Sequence, residues 1–438
     1  MICLGFYWLG IYSVQNGTTG YRIYQKIQAD IAMLRSDDWK MAFAGNASHF
    51  LQPSRQPGDG VTVNEPADDG KLVLISGFLD GQNELRLIDR SGQTLAHWPA
   101  SYSADFPDPS HLRIPPRSDF NIDLHGAVIN PDGSVVFNYE YGGTVKKDRC
   151  GKTEWTLPAM THHSLERASG GGYWLLNRRY LDDSEKDAFP PFSQEGEIRN
   201  KLEDLVLHID EQGNPTRQFS ILRALHRAGM RQVLSASGSK HLAWNSGRTE
   251  LIHANKAAEL RPEHSPLFPQ FDAGDLLLSL RNYNMLMVID PDTEAVKWYQ
   301  IGPWERQHDP EFNADGTISV FNNAAYQTMQ KPLLRTTPDT PRTSNIMKID
   351  PASGAATVVY GGRPGQEMLT VIRGKHDPVP GGGWFITEFE AGRAFETDAA
   401  GRIVWEYINR FDAENVAELS EAQLFPATYF DVQDWNCG

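Results

Sequence analysis

Short apolar stretches with polar residues at alternate positions recur along the chain, each closed by a turn rich in Gly, Asp or Asn. The clearest is Gly302–Asn323, GPWERQHDPEFNADGTISVFNN, where a His-Asp pair leads into an Asp-Gly turn and an apolar strand. His125 opens HGAVINPDGSVVFNYE, His163 opens HSLERASGGGYWLLNRR and His376 opens HDPVPGGGWFITEF. The turn residues Asp132, Gly170, Asp315 and Gly383 follow these histidines at one offset, as a repeated β-hairpin produces. A second pattern interleaves with the first: LRLIDRSGQTLAHW, TVKKDRCGKTEWTL, LVLHIDEQGNPTRQF, LMVIDPDTEAVKWY, IMKIDPASGAATVVY and AFETDAAGRIVWEY. Each reads as strand, polar turn and strand. Two hairpins per unit, repeating at roughly 40–50 residues, are the mark of a propeller blade. Six such units over residues 61–410 predict an all-β, six-bladed β-propeller.

The flanks carry other patterns. Met1–Val14, MICLGFYWLGIYSV, is apolar and aromatic, shorter than the ~20 residues of a membrane span and without a basic leader. It reads as a signal or membrane anchor, with a non-spanning hydrophobic strand as the other reading. The anchor reading implies a periplasmic or extracellular location. Ile23, Ile27, Ile31 and Leu34 lie at helical spacing within Tyr21–Phe43, and Gly45–Gly60 reads as a linker. Residues 1–60 thus form an N-terminal segment of apolar stretch, helix and linker, and residues 411–438 a C-terminal helix and tail. Insertions at Asp182–Lys201, Ser220–Gly247, Arg261–Asp272 and Ala324–Pro341 map to loops, and Ser220–Met230 predicts a short helix.

Composition narrows the function. The 438 residues carry a formal net charge of −15, which argues against a nucleic-acid partner, because phosphate contacts need a basic surface. Cys3, Cys150 and Cys437 have no paired zinc spacing; a Cys150–Cys437 disulfide is compatible with the sequence. No nucleotide-binding fingerprint is present, and the Gly-Gly-Gly runs at Gly170–Gly172 and Gly381–Gly383 read as hairpin turns.

The innermost strand of each blade lines the channel of a propeller. Assigning the first strand of each unit to that position brings Thr62, His125, His162 or His163, His253, His308 and His376 to the channel mouth. Imidazoles gathered there can act as nucleophile, acid–base catalyst or metal ligand, or as cations that hold an oxyanion. The plain structural reading is that a His at a blade start pins its strand by hydrogen bonds. Asp309 and Asp377 orient the neighbouring rings or simply begin their strands.

The segments LIHAN, SLRNYN, IDPDT-x-x-VKW, RQHDPEF-x-x-DGTISVF and GKHDPVPGGGWFI resemble the arylsulfotransferase family, over most of Gly60–Asn409. The resemblance implies a six-bladed propeller that moves a sulfuryl group from an aryl sulfate to a phenolic acceptor, with no cofactor and no nucleotide donor. It implies a transient sulfohistidine on His376, assisted by His253 and His308. The family's arginine follows the strand after the second assisting histidine. Here VFNNAAYQTM has no Arg, and Arg342 or Arg281 is expected in its place. His125, His163, Arg281 and Asn323 are expected to bind substrate, and Tyr139, Trp174, Tyr283, Trp304, Tyr326 and Trp384 either sandwich an aryl ring or pack between blades. Two other readings stand beside this one: a non-catalytic ligand-binding propeller, and a metal-dependent hydrolase or lyase using the same histidines with Asp309 and Asp377.

Overall fold

The computed structural model describes residues 10, 12, 47–65, 69–182, 202–237, 250–324 and 343–437. The N-terminal apolar stretch, apart from Gly10 and Tyr12, and the helix expected over Tyr21–Phe43 lie outside the described residues. The chain divides into a small unit, Met1–His49 with Pro116–Asn121, and a large one, Phe50–Pro115 with Ile122–Gly438. In the small unit, a short 3-10 turn spans Asp119–Asn121, and the Ser118 hydroxyl donates to Asn121 Oδ1 at 3.0 Å.

Among the described residues, the large unit holds six antiparallel sheets of four or five strands, beside the two-stranded pair of Leu51–Pro53 with Asn415–Ala417, and the innermost strands of the six touch in cyclic order to form a closed ring. From the inside out, blade 2 is Leu124–Ile129, Val135–Tyr139, Gly143–Lys147 and Thr153–Leu157. Blade 3 is His162–Arg167, Tyr173–Tyr180, Leu202–Ile209 and Pro215–Ser220. Blade 4 is Ala254–Glu259, Leu276–Leu280, Met285–Ile289 and Val296–Ile301. Blade 5 is His308–Phe312, Ile318–Asn322, Asn345–Ile349 and Ala356–Tyr360. The expected six-bladed β-propeller is the architecture of this unit.

Both flanks of the repeat close the ring. Leu419–Pro426 is the innermost strand of blade 1, followed outward by Lys71–Leu79, Gln82–Asp89 and Thr94–Pro99. Gly60–Asn64 is a fifth, outermost strand of blade 6, beyond Lys375–Pro378, Trp384–Glu388, Arg393–Thr397 and Ile403–Ile408. Two segments differ from the sequence expectation. Thr62 does not reach the channel, because its strand pairs with Ile403–Ile408 on the outer edge. The C-terminal stretch EAQLFPA is strand and not helix. Without it the Lys71–Leu79 edge would present unpaired backbone groups at the channel, and that demand outweighs local helix propensity.

The Ile-Asp turns of the sequence have a simple cause. Oδ1 of Asp210 accepts backbone N–H groups from Gln212 at 2.9 Å and Asn214 at 2.8 Å, and Asp398 does the same for Ala400 at 3.0 Å and Arg402 at 2.9 Å. The aromatic residue that follows latches adjacent blades. Trp98 Nε1 donates to Asp148 O at 3.0 Å, Trp155 to Glu211 O at 3.1 Å and Trp405 to Arg90 O at 3.0 Å. Apolar faces between these latches form the core, as where Trp174, Leu176 and Val206 of blade 3 meet Ala257 and Leu278 of blade 4. The predicted helix after Ser220 is present as Ile221–Arg227, capped by the Ser220 hydroxyl. Cys150 and Cys437 form a disulfide that ties the tail behind the closing strand to blade 2.

Candidate active site

The inner strands enter the channel through an irregularity that aims their first side chains at one point. Register shifts separate Leu124 from Ala127, His162 from Leu165 and His308 from Glu311. The chain is left-handed at Gly126 (φ 97°), His163 (φ 53°), His253 (φ 56°) and Asp309 (φ 50°). Such φ values cost a non-glycine residue on the order of 1–2 kcal/mol, so the surrounding contacts must hold them. Gly126 has a steric reason as well, since a Cβ there would lie 2.1 Å from the carbonyl oxygen of His163.

Four channel-mouth imidazoles gather around His163. Its ring centre is 4.0 Å from His125, 5.0 Å from His253 and 6.3 Å from His308. His162 lies behind it, with the two Nδ1 atoms 2.8 Å apart. All five are buried, and burial is the first cause that holds each below the ordinary histidine range, His125 at about 4. Arg373 adds to the effect on His125, Arg178 on His162 and Arg281 on His308, while neighbouring imidazoles add to it on His163. These rings are therefore neutral near pH 7, with lone pairs available.

Each ring is anchored differently. His308 is saturated: Asn323 Nδ2 donates to Thr370 O at 3.0 Å and Arg373 O at 2.8 Å, which turns Asn323 Oδ1 toward His308 Nδ1 at 2.7 Å. His308 thus carries its proton on Nδ1, and its Nε2 accepts the Arg373 N–H at 3.3 Å. His253 Nδ1 lies 2.6 Å from Glu250 Oε2, and its Nε2 is buried with no partner. Burial disfavours the Glu250 charge, but the bond from His253 and the nearby Arg178 overcome it and hold the carboxyl well below its usual range.

Arginines surround the cluster. Arg178 donates from Nε to Asp204 at 2.9 Å and from Nη1 to Glu250 at 2.8 Å, and its Nη2 is buried without a partner. Arg281 follows the second strand of blade 4, and its buried Nε is also unsatisfied. Burial first, then Arg306, lowers the Arg281 guanidinium from its ordinary value. Arg373 is buried between Glu140 and Asp123, 2.5 Å from the latter. Unsatisfied guanidinium donors beside a neutral imidazole lone pair suit a small oxyanion with an electrophilic centre.

Residues 124–410 match the family model described as Arylsulfotransferase (ASST). The chain belongs to the arylsulfotransferase family. Membership supports aryl sulfate sulfotransferase activity in general terms, with small-molecule aryl sulfates and phenols as substrates. No curated protein matches the chain by sequence. Among solved structures it is similar to a protein of unknown function from Bacteroides caccae, at 12% identity over 81% of this chain and 98% of that one, TM-score 0.49. It is also similar to virginiamycin B lyase from Staphylococcus aureus, at 13% identity over 85% of this chain and 97% of that one, TM-score 0.42.

The arylsulfotransferase resemblance points to His376 as the nucleophile, yet the structure places that ring elsewhere. It is fully buried between blades 5 and 6, with Nε2 2.8 Å from Ser319 Oγ and Nδ1 3.5 Å from Asp309 Oδ2. The offset that aligns it with His308 counts to the wrong glycine. Strand pairing matches Pro378 with Trp384 and Phe312 with Ile318, so Gly381 is the counterpart of Asp315 and His376 sits two residues further along its strand than His308. Asp309 is engaged by Lys256 at 2.9 Å and by the His376 N–H at 2.8 Å, away from the imidazole cluster. Asn323 is fully buried and orients His308. Arg342 and Tyr326 lie outside the described residues. Tyr139, Trp174, Tyr283, Trp304 and Trp384 are buried residues of the hydrophobic clusters.

His125, His163, His253, His308 and Arg281 do come together. Arg178, Arg373, Glu140 and Glu250 join them, and sequence reasoning missed all four. Arg373 stands two residues before the KHDP motif, where a charged residue reads as a loop feature. Arg178 lies two residues from the end of Tyr173–Tyr180 and Glu140 directly follows Val135–Tyr139, where polar residues resemble ordinary solvent-facing positions. Toward the turn ends of the inner strands lies a cavity of about 460 Å³, lined among others by Glu166, Lys256, Glu311, Asp377, Glu421 and Tyr429.

Proposed function

We propose that the protein transfers a sulfuryl group from an aryl sulfate ester to a phenolic acceptor through a sulfohistidine on His253. The observation that carries this reading is the unpartnered, buried Nε2 of His253, fixed from behind by Glu250 and set among guanidinium nitrogens with donors to spare. The Nε2 lone pair attacks sulfur, the bond from sulfur to the aryl oxygen breaks, and aryl oxide leaves with the electron pair. Arg281 and Arg178 hold the sulfuryl oxygens, and the Glu250 carboxylate offsets the positive charge on the sulfonated ring. In the second half, the oxygen of the acceptor phenol attacks sulfur and the nitrogen–sulfur electrons return to the ring. The proton lost by the acceptor balances the one taken up by the released aryl oxide. No nucleotide sulfate takes part.

We also propose that this chemistry takes place outside the reducing cytoplasm, in a periplasmic or extracellular setting, with the N-terminal segment as anchor or leader. The Cys150–Cys437 disulfide supports that location.

The test is release of 4-nitrophenol from 4-nitrophenyl sulfate by the purified chain. Release that requires a phenol acceptor is the expected result. Release at the same rate without acceptor would make the protein a hydrolase, and none with any aryl sulfate would leave a binding propeller.

A further inference from the structure

We propose that His125, His163 and Glu140 form a site for one divalent transition-metal ion at the edge of the imidazole cluster. This goes beyond the transfer reading, which uses none of the three as nucleophile. One ligand atom from each residue lies within 4.8 Å of the other two. A tetrahedral ion with bonds of ~2.0–2.1 Å spaces its ligands at roughly 3.3 Å, so modest side-chain rotation closes the set.

The hydrogen bonding leaves the required atoms free. His125 is buried, its Nδ1 has no hydrogen-bond partner, and it lies 3.7 Å from Glu140 Oε1. The other oxygen of Glu140, Oε2, is held by Arg373, which fixes the carboxylate with Oε1 toward the imidazole. Asp123 also contacts that guanidinium, at 2.5 Å, and offsets its charge. His163 Nδ1 is occupied by His162 at 2.8 Å, which leaves Nε2 as the ligand atom. An outer hydrogen bond on the non-ligating nitrogen is the usual support of a metal-bound imidazole. Two imidazoles and one carboxylate suit Zn²⁺ or a similar ion better than Ca²⁺ or Mg²⁺, and three protein ligands leave a position for water or an anion oxygen.

The experiment uses the chelator-treated full chain, titrated with Zn²⁺ alone against a competing chromophoric chelator. One ion per chain is expected, with affinity falling on the order of tenfold or more in both Glu140→Gln and His125→Gln. His208→Gln, which changes a residue of the third strand of blade 3, is expected to bind as the wild type does. Circular dichroism checks folding, and if Glu140→Gln fails to fold, His125→Gln decides. No Zn²⁺ bound by the wild type, or undiminished binding by the folded variants, would overturn the proposal. The readout is bound metal and not turnover, so its failure leaves the transfer reading standing, and failure of transfer leaves the metal site standing.

Discussion

Glu250 Oε2 lies 2.6 Å from Nδ1 of His253, and the opposite nitrogen of that ring is buried without a partner. A carboxylate in this place fixes the tautomer, so the free lone pair is on Nε2, and it stabilises the charge that develops when the ring is sulfonated. Glu250→Gln keeps an oxygen to accept from Nδ1 but removes the charge. We expect kcat to fall ~10²-fold with little change in KM, measured with 4-nitrophenyl sulfate and phenol at saturating acceptor.

Arg281 presents the opposite trade between stability and activity. Its guanidinium pays for burial without satisfying Nε. Arg281→Met removes that cost and is expected to leave the melting temperature equal or higher, while kcat/KM falls ~10²–10³-fold because the sulfuryl oxygens lose a donor. A variant that loses stability and activity together would make Arg281 a packing residue.

Much of this molecule was legible before its structure. The Ile-Asp turns and the aromatic residues after them announce blades because each has a local cause: an Asp oxygen that gathers nearby N–H groups, and a Trp Nε1 that reaches the next blade. The imidazole cluster was legible in part, since His125, His163 and His308 each stand at the start of an inner strand, at one fixed spacing before its turn. Contacts between distant segments were not. Leu419–Pro426 is a strand only because Lys71–Leu79 lies beside it. Arg373 reaches Glu140 across 233 residues, and no local pattern marks either partner. His376 was misplaced because three consecutive glycines hide which one matches Asp315 in the turn.

His376 therefore tests geometry against motif. His376→Asn gives up the 2.8 Å contact with Ser319 and replaces a fully buried ring by a smaller amide, at a cost of ~1–3 kcal/mol. Thermal melting is expected to record that loss, while the folded variant keeps phenol-dependent transfer within a few-fold of the wild type.

The cavity at the turn ends of the inner strands gives a pH dependence. Burial first, then Asp309 and Glu421, raises the Asp377 carboxyl to about 7, against the opposing pull of Lys256 and Lys375. Because the folded value lies above the unfolded one, this group favours the fold at acid pH and loses that contribution as pH rises through about 7. Asp377→Asn cannot ionise. Its melting temperature should match the wild type near about pH 4, exceed it increasingly up to about pH 7 and hold that difference above; a difference that stays constant over the whole range would contradict this.

Trapping the covalent intermediate decides whether His253 carries the sulfuryl group. The protein is mixed with sulfur-labelled 4-nitrophenyl sulfate without acceptor, quenched, digested, and the labelled peptide sequenced. Label is expected on His253, discharged by added phenol and lost in His253→Ala. Label on His376 or another residue, or labelling that persists undiminished in His253→Ala, would contradict it.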